Sequence, residues 1–469
     1  MKVKASRRSF LRSIIAGTVC VVSSTGFAWG QAGTAQRPPN VILIVVDDLG
    51  WSDVGCNGAK FYETPHIDKL ASQGVRFTNA YAASPVCSPT RASLLTGRVT
   101  PRHGLTNIPD RAQPNAKVLP APSLDRLEPS EVTIAEMLHP AGYVSASVGK
   151  WHLGRAPQWM PLAQGFDTVA GAISPGMPDY SQFYMDFDIP GKSGDFLQDN
   201  ATDLAVEFVE KNQGKPFFLY YPMFAVHRPI MGKPGWVKHF QEKFERNGAT
   251  NPEGQSNVTY AALIASADDA VGRLCATLEE LHLADNTLVI FTSDNGGLEP
   301  VSGNAPLRSG KGTMYEGGLR VPLVVRWPGV TPPGTTSDVP VDSCDLFPTI
   351  RSAAGVAPDP AITIDGQDLK PILTGTGETR RPDLFWHYPH YHLGAPASVI
   401  RSGDFKLIEQ LEDGALELYD LKNDIGETLN LAVKKPELTQ TLHEKLIAWR
   451  VETGAKMPTR LDQIVPVEK

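Results

Sequence analysis

Cysteine is scarce in this chain: five residues in 469, at positions 20, 56, 87, 275 and 344. No two of them form a CxxC pair, which excludes zinc-ribbon and dithiol redox motifs, and so few exclude a disulfide scaffold. Positive charge is not in excess either. A formal net charge of -7 argues against nucleic acid or an anionic membrane as partner. It does not argue against a small anionic substrate, whose binding depends on the local field. Internal repeats and low-complexity tracts are absent. The apolar stretch at 14–29 is short for a bilayer span and carries Ser and Thr, so no stable membrane anchor is expected.

What is present begins with an address. Ser6-Arg7-Arg8-Ser9-Phe10-Leu11-Arg12 is a twin-arginine export pattern, followed by the apolar stretch and by small residues near Gly30-Gln31-Ala32 where a peptidase can cut. The expectation is a signal over 1–32, the twin-arginine translocase as a partner, and a periplasmic or secreted mature protein. Cys20 falls within the signal, and Val19 before it is a poor match to a lipoprotein site.

The remaining length exceeds one ordinary core, so a large domain at 33–365 and a smaller C-terminal subdomain at 366–469 are expected. Apolar runs of strand length recur at 41–46, 143–148, 217–221, 288–292 and 321–327. Helical patterns lie between them, at 133–138, 203–209 and 261–281. Continuous apolar strands alternating with helices predict an α/β fold: a large, mainly parallel sheet sandwiched by helices. After about Pro382 the texture changes to alternating strands at 397–409 and 416–420, then an amphipathic helix at 437–451. That predicts a small antiparallel sheet with a helix.

Two of the apolar runs end in acidic pairs. Asp47-Asp48 follows 41–46, and Asp294-Asn295 follows 288–293. Ligands in open α/β sheets bind beyond the carboxyl ends of the strands. Three carboxylates and an amide, without His or Cys, favour a hard cation, Ca²⁺ or Mg²⁺. Either pair alone reads equally well as a helix or turn cap; the two together favour a metal.

The strongest local signal is Cys87-Ser88-Pro89-Thr90-Arg91, continuing Ala92-Ser93-Leu94-Leu95-Thr96-Gly97-Arg98. Pro89 suits a helix's first turn and Gly97 its end, which places Cys87 at an anion-favouring N-terminus with Arg91 one turn in. A bare CxPxR would otherwise read as a small buried hydrophobe or a reactive thiol. In this context it resembles the type I sulfatases, formylglycine-dependent enzymes with an alkaline-phosphatase-like fold, and the likeness extends over nearly the whole mature protein. The resemblance implies that a formylglycine-generating or anaerobic sulfatase-maturing enzyme oxidises Cys87 to formylglycine. Its hydrate can attack sulfur through one hydroxyl and expel sulfate by losing the proton of the other, which a serine cannot do. The resemblance also places Asp47, Asp48, Cys87, Asp294 and Asn295 around a calcium ion. With Cys87 consumed, at most one disulfide can form among Cys56, Cys275 and Cys344.

Lys150 and His152, in Gly149-Lys150-Trp151-His152, follow the run 143–148 and project to one side if the segment is extended. On their own they read more readily as a surface Lys and a packed His than as an anion and proton site. The resemblance implies that Lys150 binds sulfate and His152 takes the proton that releases it. His227, in Ala225-Val226-His227-Arg228-Pro229, and Lys311, in Ser309-Gly310-Lys311-Gly312, match a His and a Lys that grip the sulfate and the bridging oxygen. The implied activity is hydrolysis of a sulfate ester, with a sulfated oligosaccharide or polysaccharide of galactose or N-acetylgalactosamine type as substrate. His103, Asn107, Arg228, His387, His390 and His392 are candidate sugar contacts, three of them in the aromatic-rich Trp386-His387-Tyr388-Pro389-His390-Tyr391-His392. Ordinary packing of an aromatic loop explains that cluster as well. Two other readings stand: a phosphonate or phosphate ester hydrolase of the same superfamily, and a non-catalytic carbohydrate-binding protein on this fold.

Overall fold

The computed structural model describes residues 37–461 apart from 109–114, 172–188, 192–193, 248–254 and 378–380. The export signal expected at 1–32, with Cys20, lies outside the described residues.

The sheet is organised by Asn40–Val46 (β1), seven residues without an exposed position. Its side chains alternate between two cores: Ile42, Ile44 and Val46 face one, Val41, Leu43 and Val45 the other. A strand covered on both faces must be apolar throughout, which is why this run reads as continuous rather than alternating. Seven strands join it: Val75–Phe77 (β2), Val144–Val148 (β3), Thr168–Ala170 (β4), Phe217–Pro222 (β5), Thr287–Ser293 (β6), Leu323–Arg326 (β7) and Thr335–Ser337 (β8). Their spatial order is β8-β2-β7-β6-β1-β5-β3-β4. Every neighbour is parallel except β7, which runs antiparallel to β2 and β6.

Helices cover both faces. Cys87–Thr96 (α1) lies on one side and contributes Ala92, Leu94 and Leu95 to that core. Leu197–Lys211 (α2) and Val258–Glu280 (α3) cover the other. Helix α2 extends beyond the predicted 203–209 at both ends, and α3 begins three residues before the predicted 261 and ends at 280. Asn257 caps α3, its side chain accepting from Tyr260 N.

Four strands form a C-terminal antiparallel meander: Asp383–Tyr388 (β9), Ala397–Ser402 (β10), Phe405–Gln410 (β11) and Leu416–Asp420 (β12). The run expected as one strand at 397–409 is folded in two at Gly403, whose φ of 57° makes the turn. The aromatic stretch expected as a loop begins as strand β9. Pro436–Thr453 (α4) packs Leu442 and Leu446 on Ile400, Leu407 and Leu418. The opposite face, with Trp386, Tyr388 and Val399, packs on Tyr81, Val86 and Met314. Residues from Pro38 onward thus form one compact unit. Cys56, Cys87, Cys275 and Cys344 are all free thiols. Among the described residues, no helix is long and apolar enough to cross a membrane.

Candidate active site

The register of the central strands builds the site. Val46 of β1 pairs with Ser293 of β6 in a parallel ladder, so the next residues, Asp47 and Asp294, leave adjacent strand ends together. The pairing continues past β5 as well: Asp47 N donates to Ala225 O and Val226 N donates to Asp47 O, which brings His227 alongside. Asp48 takes a left-handed φ of 64°, and its N–H donates to Asp294 Oδ1 at 3.1 Å.

Cys87 is the first residue of α1, as Pro89 and Gly97 predicted, with Gly97 in the left-handed conformation at the helix end. Its Sγ lies 3.3 Å from Asp47 Oδ1 and 3.8 Å from Asp48 Oδ1. Lys311 Nζ stands 3.4 Å from the same sulfur and 2.5 Å from Asp48 Oδ1. Arg91 is fully buried. It donates through Nε to Asp294 Oδ2 at 2.8 Å and through Nη1 to Lys150 O at 2.9 Å. Lys150 Nζ reaches Asp47 Oδ2 at 2.5 Å. His227 Nε2 lies 3.8 Å from Asp48 Oδ2, while its Nδ1 donates to Arg228 O at 2.7 Å.

The segment carrying Lys150 and His152 is not extended as expected. Gly149 has φ 124° and His152 φ 61°. A Cβ on Gly149 would fall 1.9 Å from Pro222 O, so the chain crosses the end of β5 where only glycine fits. The turn nevertheless brings Lys150 to Asp47, and half-buried His152 feels the charges of Lys150, Arg91 and Lys311.

Electrostatics follow from burying so many charges. Burial alone would raise Asp48, but Lys311, His227 and Lys150 outweigh it and hold the carboxyl well below its usual range. Asp294 is pushed up to about 6 by burial and by Asp47, with Arg91 opposing. Burial, then Asp294 and Asp47, push the Cys87 thiol far up, so the unmodified residue is a neutral, poor nucleophile. Burial and Lys150 lower His152, and the same two causes lower His227 to about 3.

Asp47, Asp48, Cys87 and Asp294 each offer a donor atom within 4.8 Å of all the others. Asp48 Oδ2 and Asn295 Oδ1 are buried without a hydrogen-bond partner, a costly state that a coordinated cation relieves. The donor set fits a hard cation.

This assembly matches a known family. The sulfatase family model covers residues 39–356, and the model for the C-terminal part of N-sulphoglucosamine sulphohydrolase covers 309–452. The chain belongs to the sulfatase family. It is a sulfuric ester hydrolase. N-acetylgalactosamine-6-sulfatase of Canis lupus familiaris is 36% identical over 414 residues, 82% of this chain and 74% of that protein. Arylsulfatase A of Homo sapiens is 34% identical over 489 residues, covering 88% of each. Among solved structures, Ps i-CgsB in complex with k-i-k-neocarrahexaose superposes with a TM-score of 0.77 at 30% identity, over 90% of this chain and 95% of that one. The phosphonate monoester hydrolase of Agrobacterium radiobacter, at 22% identity and TM-score 0.65, shares the alkaline-phosphatase-like fold alone.

The candidate sugar contacts separate into two groups. His103 and His387 have both ring nitrogens engaged inside the fold. His103 Nε2 meets Ser93 Oγ at 3.0 Å and its Nδ1 accepts from Leu105 N at 3.3 Å. His387 Nδ1 meets Ser398 Oγ at 2.7 Å and its Nε2 meets Lys456 O at 2.9 Å. Asn107 Oδ1 accepts from Tyr388 OH, and His390 Nε2 meets Thr106 Oγ1, which ties the 104–108 loop to the C-terminal sheet. Arg228 is exposed beside His227. His392 is half-buried against the loop of Lys311: a Cβ on Gly312 would lie 2.9 Å from its Nδ1. Sequence reasoning missed Asp53, Tyr260, Ser302 and Asn304, which lie behind the acidic pairs; only the repetition of acid at 47, 48 and 53 hinted at them.

Proposed function

We propose that this sulfatase removes sulfate from a sulfated carbohydrate of galactose or N-acetylgalactosamine type, with formylglycine made from Cys87 as nucleophile. The observation that carries the reading is the convergence of Cys87 Sγ, Asp47, Asp48 and Lys311 at the N-terminus of α1, where the sequence matches the family's modification signature. Support for a sugar substrate comes from relatives named as N-acetylgalactosamine-6-sulfatases and from the oligosaccharide bound by Ps i-CgsB.

Asp47, Asp48, Asp294, Asn295 and residue 87 would hold Ca²⁺, with Mg²⁺ the alternative; when bound, the ion supplies Lewis-acid stabilisation of negative charge. Lys150, Lys311 and Arg91 add positive charge in a water-poor site, where it is worth most. The hydrated aldehyde at residue 87 attacks sulfur through one hydroxyl, whose proton passes to the nearby Asp294 carboxylate; the bond from sulfur to the sugar oxygen breaks, and that oxygen takes a proton from His227. Loss of the second hydroxyl's proton to His152 then releases sulfate and restores the aldehyde. His227 must carry a proton on Nε2 for this. Burial is the largest cause lowering His227, followed by Lys150; the arriving sulfate monoanion offsets Lys150 and Lys311 and so favours that proton. Arg228 and His392 are the sugar contacts in this reading, and Asn107 and His390 hold the 104–108 loop to the C-terminal sheet. Twin-arginine export places the protein in the periplasm or outside a bacterial cell, with Cys87 oxidised in the cytoplasm before the folded chain leaves.

The test pairs mass spectrometry of the Cys87 peptide with desulfation of defined sulfated oligosaccharides, an aryl sulfate and an aryl phosphonate. The reading expects an aldehyde at residue 87 and sulfate release from 6-sulfated N-acetylgalactosamine or galactose units. Active protein carrying an intact cysteine would refute the nucleophile, and a preference for phosphonate would refute the substrate.

A further inference from the structure

The acidic loops rest on a buried polar cluster that the proposed reaction does not use. Asp53, Tyr260, Ser302 and Asn304 are each no more than 3% exposed. Asp53 Oδ2 accepts three hydrogen bonds, from Gly50 N at 2.9 Å, Tyr260 OH at 2.8 Å and Ser302 Oγ at 2.8 Å. Ser302 Oγ also lies 3.1 Å from Asn304 Oδ1, and Asn304 Nδ2 donates to Gly297 O at 2.9 Å. Lys311 N donates to that same carbonyl at 2.9 Å. At the other end, Tyr260 OH lies 3.4 Å from Asp48 O. The cluster thus spans from the loop of Asp47 and Asp48 to the loop of Asp294, Asn295 and Lys311.

Its fit is close on both sides. A Cβ on Gly50 would fall 2.7 Å from Asn304 Oδ1 and 2.8 Å from Ser302 Oγ. One on Gly297 would fall 2.3 Å from Ser302 Oγ, and one on Gly310 2.5 Å from Asn304 Nδ2. The two glycines let each loop reach the cluster, and the third lets Lys311 turn inward beside it. Among the described residues no cation pairs with Asp53, so the contacts are directional hydrogen bonds rather than charge attraction.

We infer that Asp53, Ser302 and Asn304 form a positioning clamp that sets the separation of the two acidic loops and holds the candidate cation site preformed. Arg91, Lys150 and Lys311 offset the charge of the three carboxylates, and Asp48 N donates to Asp294 Oδ1 at the front; the cluster adds directional contacts from behind that fix where the two loops sit. Residues that orient metal ligands from behind typically change affinity ~10–100-fold when removed. The inference rests on the metal reading above.

The test is calorimetric titration of Ca²⁺ into chelator-treated protein, unaltered and carrying Asn304→Ala, Asp53→Asn or Asp53→Ala, with near-ultraviolet circular dichroism to check folding. The clamp expects Kd for Ca²⁺ to rise ~10–100-fold in Asn304→Ala and Asp53→Ala. It expects a smaller rise in Asp53→Asn, which keeps an acceptor, and a fall in kcat on an aryl sulfate with KM little changed. Asn304→Ala is the mild variant should Asp53→Ala not fold. A folded Asn304→Ala protein with a lower Tm but unchanged Kd would overturn the clamp and leave the cluster purely structural. If the unaltered protein binds no Ca²⁺, the metal reading fails and the clamp with it; Asp294→Ala, which removes a direct ligand, marks that failure apart from the other.

Discussion

Replacing Lys406 with methionine is expected to break the buried junction between the C-terminal sheet and the rest of the fold. Lys406 is 1% exposed, and its Nζ sits 3.0 Å from Glu316 Oε1 and 2.8 Å from Glu427 Oε1. Glu316 also accepts from Arg320 at 2.7 Å and from Tyr81 OH at 2.8 Å, and Glu427 accepts from Glu316 N at 2.7 Å. Burial would raise the Glu316 carboxyl, but Lys406, Arg320 and Arg401 bring it down to about 2. Removing one partner of a buried ion network typically costs ~3–5 kcal/mol, since the charge left behind is uncompensated. Here Arg320 still serves Glu316 and Glu427 can take a proton, so the lower end, ~3 kcal/mol, is expected. With an unfolding entropy of ~2.1 cal/mol/K per residue, this lowers Tm by ~3–4 °C.

The pH dependence sharpens the prediction. Burial pushes Glu427 up to about 7, against the opposing pull of Lys406. Between the ordinary carboxylate value and about 7, the folded state therefore holds a proton that the unfolded chain has lost, and stability falls as pH rises through that window. Without Lys406 the fall is larger, so the deficit relative to the unaltered protein should be greater near pH 8 than near pH 5.5. Adding Glu427→Gln to Lys406→Met should recover part of it. Thermal unfolding by circular dichroism at both pH values decides the matter. A deficit independent of pH, or no deficit, would show that this network is not what holds the junction.

His227→Ala should cost ~10²–10⁴ in kcat/KM on a sugar sulfate but much less on an activated aryl sulfate; equal losses would remove His227 from the acid role. Treatment with a chelator should abolish sulfate release and lower Tm, and Tm should climb with added Ca²⁺ as binding to the folded state requires; an unmoved Tm would contradict the cation site. Gly149→Ala places a Cβ 1.9 Å from Pro222 O in a left-handed conformation, so a loss of ~2 kcal/mol or more is expected, with kcat falling as Lys150 shifts. An alanine variant of full stability and activity would refute the geometry proposed for that turn.

Local pattern made much of this protein legible in advance. The run 41–46 could only be a strand covered on both faces, and Pro89 and Gly97 bounded α1 as they must. The modification signature at Cys87 identified the family. Where reading failed, the signal was not local. His387 was expected in an aromatic-rich loop, yet it lies in β9 with both nitrogens taken by Ser398 and Lys456, partners 11 and 69 positions away. Asp53 and Asn304 carry no motif of their own, because the hydrogen bonds that give them meaning close between separate loops.

The sequence by itself determined the Cys-x-Pro-x-Arg motif at 87–91, the acidic pairs at strand ends, the layered α/β class and the small C-terminal meander, since each depends on periodicity or on residues adjacent along the chain. Only the tertiary structure decided which side chains meet. Parallel register set Asp47 beside Asp294, the left-handed turn at Gly149 delivered Lys150, and docking of the meander fixed the pairing of Glu316 with Lys406. Contacts between residues hundreds of positions apart are set by packing and charge compensation, and neither leaves a period in the chain.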